Sequence, residues 1–167
     1  MSGEDIRAGQ EIRTSAEVME ASALPCAGVV HCDPNAPATP EQQPLPAAVA
    51  RQPVEDKSEA QWAYERLILY IRNFEQQLDA RQEVAMGFAG GEAGVLRIEG
   101  LGYFDPDLVT FYGRDEAGQK MQLVQHVTQL NVVLRAVPHS GPEEPARRIG
   151  FRLAPDWDAP VAPQAEV

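Results

Sequence analysis

Hydrophobic and polar positions change their rhythm along this chain, and the changes mark out its elements. Ala63, Leu67, Ile71, Phe74 and Leu78 recur at intervals of three and four, which lines them along one face of a helix. Ser58 followed by Gln61 has the spacing of a capping box, in which each side chain satisfies a free backbone N–H, so the helix is expected to begin there. Trp62, Tyr64, Ile68, Leu69 and Tyr70 widen the apolar surface well beyond one stripe. A helix apolar on most sides is usually covered on more than one. That predicts packing on the chain's own sheet, with apolar surface left for a second subunit.

After Asp79-Ala80-Arg81-Gln82 the pattern shifts to short runs separated by turn residues, as in small antiparallel sheets. Strands are expected over Val84 to Ala89, Val95 to Tyr103, Leu108 to Gly113, Gln119 to Val127 and Asn131 to Val137. Alternation in the second slips near Gly100, which suits a bulge or sharp bend. Asp105-Pro106-Asp107 makes a turn, because proline presets the backbone angle and the aspartates can bond nearby amides. Arg114 to Gly118 is a hairpin loop, Thr128-Gln129-Leu130 a short non-strand link, and Arg147 to Leu153 a sixth strand or an edge addition. The expected fold class is α+β, mainly β: an N-terminal helix followed by a small, strongly bent, five- to six-stranded antiparallel sheet or barrel.

Composition divides the 167 residues into three parts. No aromatic residue precedes Trp62, and seven of the 14 prolines lie in residues 1–58. A segment without aromatics cannot easily offset the entropy of ordering itself, so 1–58 is expected to be disordered. Residues 155–167, with three acids, three prolines and no Lys or Arg, read as a second disordered tail. Residues 59–154 remain as the folded domain. Its 10 basic and 13 acidic residues make it only mildly acidic within a chain of net charge −11. No run approaches the length of a membrane span, and the opening MSGEDIRAGQ is acidic where a secretion signal is basic. A cytoplasmic protein with no membrane partner is expected.

No set of residues spells out a reaction. Cys26 and Cys32, in CAGVVHC, form one loose pair where structural zinc needs close pairs supplied twice, so two free thiols are expected. GFAGGEAG lacks the P-loop lysine and does not open a helix, which argues against phosphate cradling. Asp105 and Asp107 are simpler as turn residues than as paired carboxylates. Arg147, Arg148 and Arg152 form a local basic cluster, read either as solvated arginines guarding an edge strand or as a phosphate site. Tyr103, Phe104, Phe111 and Tyr112 alternate across strands, so two of the four are expected in the core, with Tyr103 and Tyr112 the candidates for contact. His126, before the link, either holds the corner by bonding a backbone carbonyl or contacts a ligand.

Three segments carry a resemblance. Gly94 opening the second strand, GLGYFDPDLVTFYG, and QLVQHVTQLNVVLRAVP make residues 60–138 similar to the Sm-like fold and its bacterial Hfq branch. The resemblance implies assembly through strand edges and a pore in which a lysine and a histidine bind uridine-rich RNA. His126 matches that histidine, but Gln125 stands at the lysine and Asp107 at the base-stacking aromatic. A neutral amide for a cation and a carboxylate for a ring remove much of the attraction for a polyanion. WAYERLILYIRNFEQQLD, LGYFDPDLVTFYG and RRIGFRL together resemble, over 60–153, an uncharacterised bacterial domain family with no assigned activity. The expectation is a non-enzymatic interaction module without cofactor or metal, forming a homo-oligomer and binding a protein partner. An RNA regulator contacting its ligand through Gln125, His126, Tyr103, Tyr112, Arg147, Arg148 and Arg152 is the alternative.

Overall fold

The computed structural model describes residues 26–88, 94–139 and 145–158. Helix α1 spans Ala47–Ala50, between single 3-10 turns at Pro40–Gln42 and Val54–Asp56, and α2 spans Glu59–Gln76. Ser58 starts α2 as expected, its Oγ accepting from Gln61 N at 3.0 Å. Only half of the capping box forms, because the Gln61 side chain turns instead to Gln52 Oε1 at 2.8 Å and Glu65 Oε1 at 3.0 Å.

Five strands follow: β1 Gln82–Phe88, β2 Val95–Phe104, β3 Leu108–Arg114, β4 Lys120–His126 and β5 Val132–Pro138. They form one antiparallel sheet in the order β4-β3-β2-β1-β5. The sheet is not closed, so the barrel expectation gives way to an open sheet with β4 and β5 as its edges. The β2–β3 register shifts between Ile98 and Gly100, at the predicted slip. Close approach of β2 and β3 requires Gly113, where a Cβ would stand 2.0 Å from the Arg97 carbonyl oxygen. The 114–118 loop closes as a hairpin, Gly118 N donating to Asp115 O at 3.1 Å.

The core lies between α2 and one face of the sheet. Ile71, Val84, Met86, Leu96, Ile98, Val109 and Phe111 form it, with Ile149 added from the far end of the chain. Phe88 meets Phe111 edge-on at 5.0 Å between ring centres. Of the four rings expected to divide evenly, Phe111 alone is buried, and Phe104 is 73% exposed.

Two expectations are corrected by what covers α2. Arg147 to Leu153 is not a sixth strand: 145–149 has no regular structure and Gly150–Leu153 is a helical turn, α3. The Glu75 carboxylate draws it to α2 by accepting from Ile149 N at 2.9 Å and Gly150 N at 2.6 Å. No sheet ladder competes for those two amides. The segment 1–58 is described from residue 26 onward, and its later part carries structure; residues 1–25 lie outside the described residues. Val49 is 2% exposed, and Lys57 Nζ lies buried between Val49 O at 2.6 Å and Glu65 Oε2 at 2.9 Å. Asn73 Nδ2 donates to Ala38 O at 2.7 Å, and Tyr70 bonds Glu41. At the other end Pro155–Asp158 forms a further 3-10 turn that packs against α1. The broad apolar surface of α2, expected to leave room for a second subunit, is thus partly covered by the chain's own flanks, with Tyr70 still 41% exposed. Low hydrophobicity misled here because a few anchors, Val49, Lys57 and Ala38, suffice when a helix already provides the surface.

Candidate functional site

The seven residues singled out from the sequence separate into two places. Gln125 and His126 lie where β4 meets the 3-10 turn Val127–Gln129, which His126 caps. Its Nδ1 accepts from Thr128 N at 3.2 Å and stands 2.7 Å from the Thr128 hydroxyl, while Nε2 lies 3.0 Å from Asp107 Oδ2. Since Nδ1 is an acceptor, the ring proton belongs on Nε2 and is donated to the carboxylate. Asp107 also accepts from Val127 N through its backbone oxygen at 2.8 Å. The same turn reaches α2, Pro106 O accepting from Ala60 N at 3.1 Å and Asp105 Oδ1 from the Ser58 hydroxyl at 2.5 Å. His126 therefore holds a corner, as the sequence suggested, but through a carboxylate and a hydroxyl instead of a backbone carbonyl. The one hydroxyl beside it among the described contacts is that of Thr128, within the turn that His126 caps. Gln125 is half-buried opposite Val109. Tyr103 leans on Tyr64 at 5.0 Å and Tyr112 lies over Gly100, each leaving about two-fifths of its surface exposed, at 39% and 42%.

The two sheet edges form a second candidate feature. β4 carries one charge, Lys120, at its first residue, and Val124 in its middle is 52% exposed. β5 carries Arg135 and ends at Pro138, with Val133 43% exposed. Beside β5 an apolar hollow of about 330 Å³ is lined by Leu67, Tyr70, Leu130, Val132 and Leu134.

Arg147, Arg148 and Arg152 line a larger cavity, of about 790 Å³, and the fold adds Arg97 and Arg114 to them. These two sit directly opposite one another across β2 and β3. Arg147 and Arg148 shape the wall: Arg147 donates to Ile98 O at 2.8 Å, and Arg148 to Gln82 O at 2.6 Å and Asp79 O at 2.8 Å. Glu83, buried on β1, accepts from Arg147 N at 2.7 Å and lies 3.7 Å from Arg97 NH1. His139 Nδ1 is 2.7 Å from Glu83 Oε1, close enough for an ion pair if protonated, yet neither buried ring nitrogen makes an aligned hydrogen bond. Arg114 is paired with Glu99 at 2.9 Å.

Sequence reading named three of these arginines and missed Arg97, Arg114, Glu83 and His139. A usable signal existed, since counting back from the Asp105–Asp107 turn with one slipped residue at Gly100 brings Arg97 opposite Arg114. Nothing local tells that 145–149 would lie alongside them. Cys26 and Cys32 are exposed free thiols. Among the described residues no group of three or more His, Cys, Asp and Glu could hold a metal ion, and no helix is long and apolar enough to cross a membrane.

No curated protein and no solved structure matches the chain, so the Sm-like resemblance gains no support from that side. A family model does match, over residues 52–152, a span that takes in α2, all five strands, the corner at His126 and every arginine of the cavity. It agrees with the uncharacterised family that residues 60–153 resemble, and the chain belongs to that family of unknown function, DUF6173.

Proposed function

We propose that this domain is a non-enzymatic assembly module in which β4 of one copy pairs with β5 of the next. One observation carries the reading: both edges of the open sheet expose a branched aliphatic residue in mid-strand, Val124 and Val133, with little charge to guard them. Unpaired edge strands are templates for pairing, and chains that remain single usually blunt them with charges, prolines or bulges. β4 and β5 are each seven residues long, so one edge matches the other in length. Joining two different edges is head-to-tail, which produces a ring or a filament instead of a two-fold dimer. The hollow beside β5 offers apolar surface for a neighbour's side chains. The resemblance to Sm-like barrels, which join edge to edge, points the same way. The wide face of α2 enters this argument only through Leu67 and Tyr70, which line that hollow.

Light scattering of the full chain at micromolar concentration tests the proposal. The expected particle is a defined multiple of 18.3 kDa, reduced to one chain by Val124→Glu together with Val133→Glu. Both residues are exposed, so the double variant keeps its fold. A wild-type particle of a single chain would remove the proposal.

The RNA reading has weaker support. The His126 ring is engaged at both nitrogens, and the Asp107 carboxylate 3.0 Å away repels a phosphate backbone. A single protein partner in place of self-assembly would leave the wild-type particle at one chain.

A further inference from the structure

We propose that the arginine-lined cavity between β1, β2, β3 and the 145–152 segment is a binding site for a small, multiply charged phosphate ligand of the diphosphate class. Five guanidinium groups line it, from Arg97, Arg114, Arg147, Arg148 and Arg152, against the two carboxylates of Glu83 and Glu99. Among the described residues that leaves three positive charges in surplus. The chain as a whole carries −11, so this concentration of positive charge runs against its overall balance.

Arg97 and Arg114 are direct cross-strand partners, so two like charges are held side by side at the cavity wall. Glu99 serves Arg114, while Glu83 is shared among Arg97, the Arg147 amide and His139. Arg152 makes no hydrogen bond or ion pair to a described residue, and it lines the cavity with an exposed head. Arg147 and Arg148 each spend one or two of five donors on backbone carbonyls, which fixes their planes and leaves the other N–H groups for an acceptor.

Size and lining select among anions. A volume of about 790 Å³ lies within the ordinary range for small-molecule sites and exceeds the needs of a lone sulfate. Among the described residues no Phe, Tyr or Trp lines it, while guanidinium groups supply most of its polar surface, so linked phosphates are the group its chemistry suits best. Guanidinium groups fit phosphate oxygens bidentately, which suits several of them facing one ligand. Glu83 is a positioning residue here, holding the Arg147 backbone and standing beside Arg97.

Calorimetric titration of the full chain with pyrophosphate, at two salt concentrations and against sulfate at matched ionic strength, tests the site. Saturable binding is expected, tighter than sulfate and weaker at high salt. Arg152→Gln, which removes nothing from the fold, should weaken it about tenfold, the effect of one lost charge-assisted bond. Arg114→Gln, checked by circular dichroism for an unchanged fold, should do the same. Pyrophosphate binding no tighter than sulfate, or wild-type affinity in both variants, would overturn the proposal. None of the five arginines lies on β4 or β5, so the result is independent of edge assembly.

Discussion

Single side chains decide more here than composition suggested. Tyr70 and Glu41 join α2 to the turn that precedes it, and each shifts the other: the tyrosine hydroxyl holds the Glu41 carboxyl below its usual 4.5, and the carboxylate pushes the Tyr70 phenol from 10.0 up to about 12. A lowered acid stabilises the fold above its unfolded pKa and loses that contribution as pH falls through the lowered value. A raised phenol contributes fully below pH 10.0 and loses its contribution as pH climbs toward about 12. The contact is therefore strongest between roughly pH 5 and 10, given these directions. Ultraviolet titration of the phenols should show one group ionising near pH 12, and Tyr70→Phe should remove that step. His126 was legible at this scale because a histidine before a short link has few other uses. Its partner was not: Asp107 is 19 positions away, and only the fold brings a carboxylate there.

Elements were easier to read than their endings. The helix and five strands fall within a few residues of the periodic pattern, since each has one face against the common core and alternation records that face. Closure was not readable, because the same alternation serves an open or a closed sheet, and the difference rests on whether β4 and β5 meet. The last element failed for a different reason. RRIGFRL alternates well enough for a strand, but Glu75, a buried acid near the end of α2, collects the amides of Ile149 and Gly150. Removing that carboxylate by Glu75→Ala leaves two buried N–H groups without an acceptor, at a cost of about 1–3 kcal/mol. A lower denaturant midpoint and faster amide exchange at residues 149–153 should report it. An unchanged midpoint would mean that burial of Ile149, not the carboxylate, holds α3 in place.

Across the whole molecule, the ends that look least capable of folding complete the helix's covering. Lys57 is the clearest case, its side chain 1% exposed against Glu65 at 8%. Lys57→Met keeps that covering and leaves Glu65 buried without its cation, which should cost about 3–5 kcal/mol. Chemical unfolding of the variant and the parent chain gives the comparison. A loss under about 1 kcal/mol would show the pair to act as an exposed one. The contact between α1 and the turn at Pro155–Asp158 has a practical outcome of its own. The two flanks brace one another there, so trimming the C-terminal one should also loosen the N-terminal one, and the pair opens as a single cooperative unit.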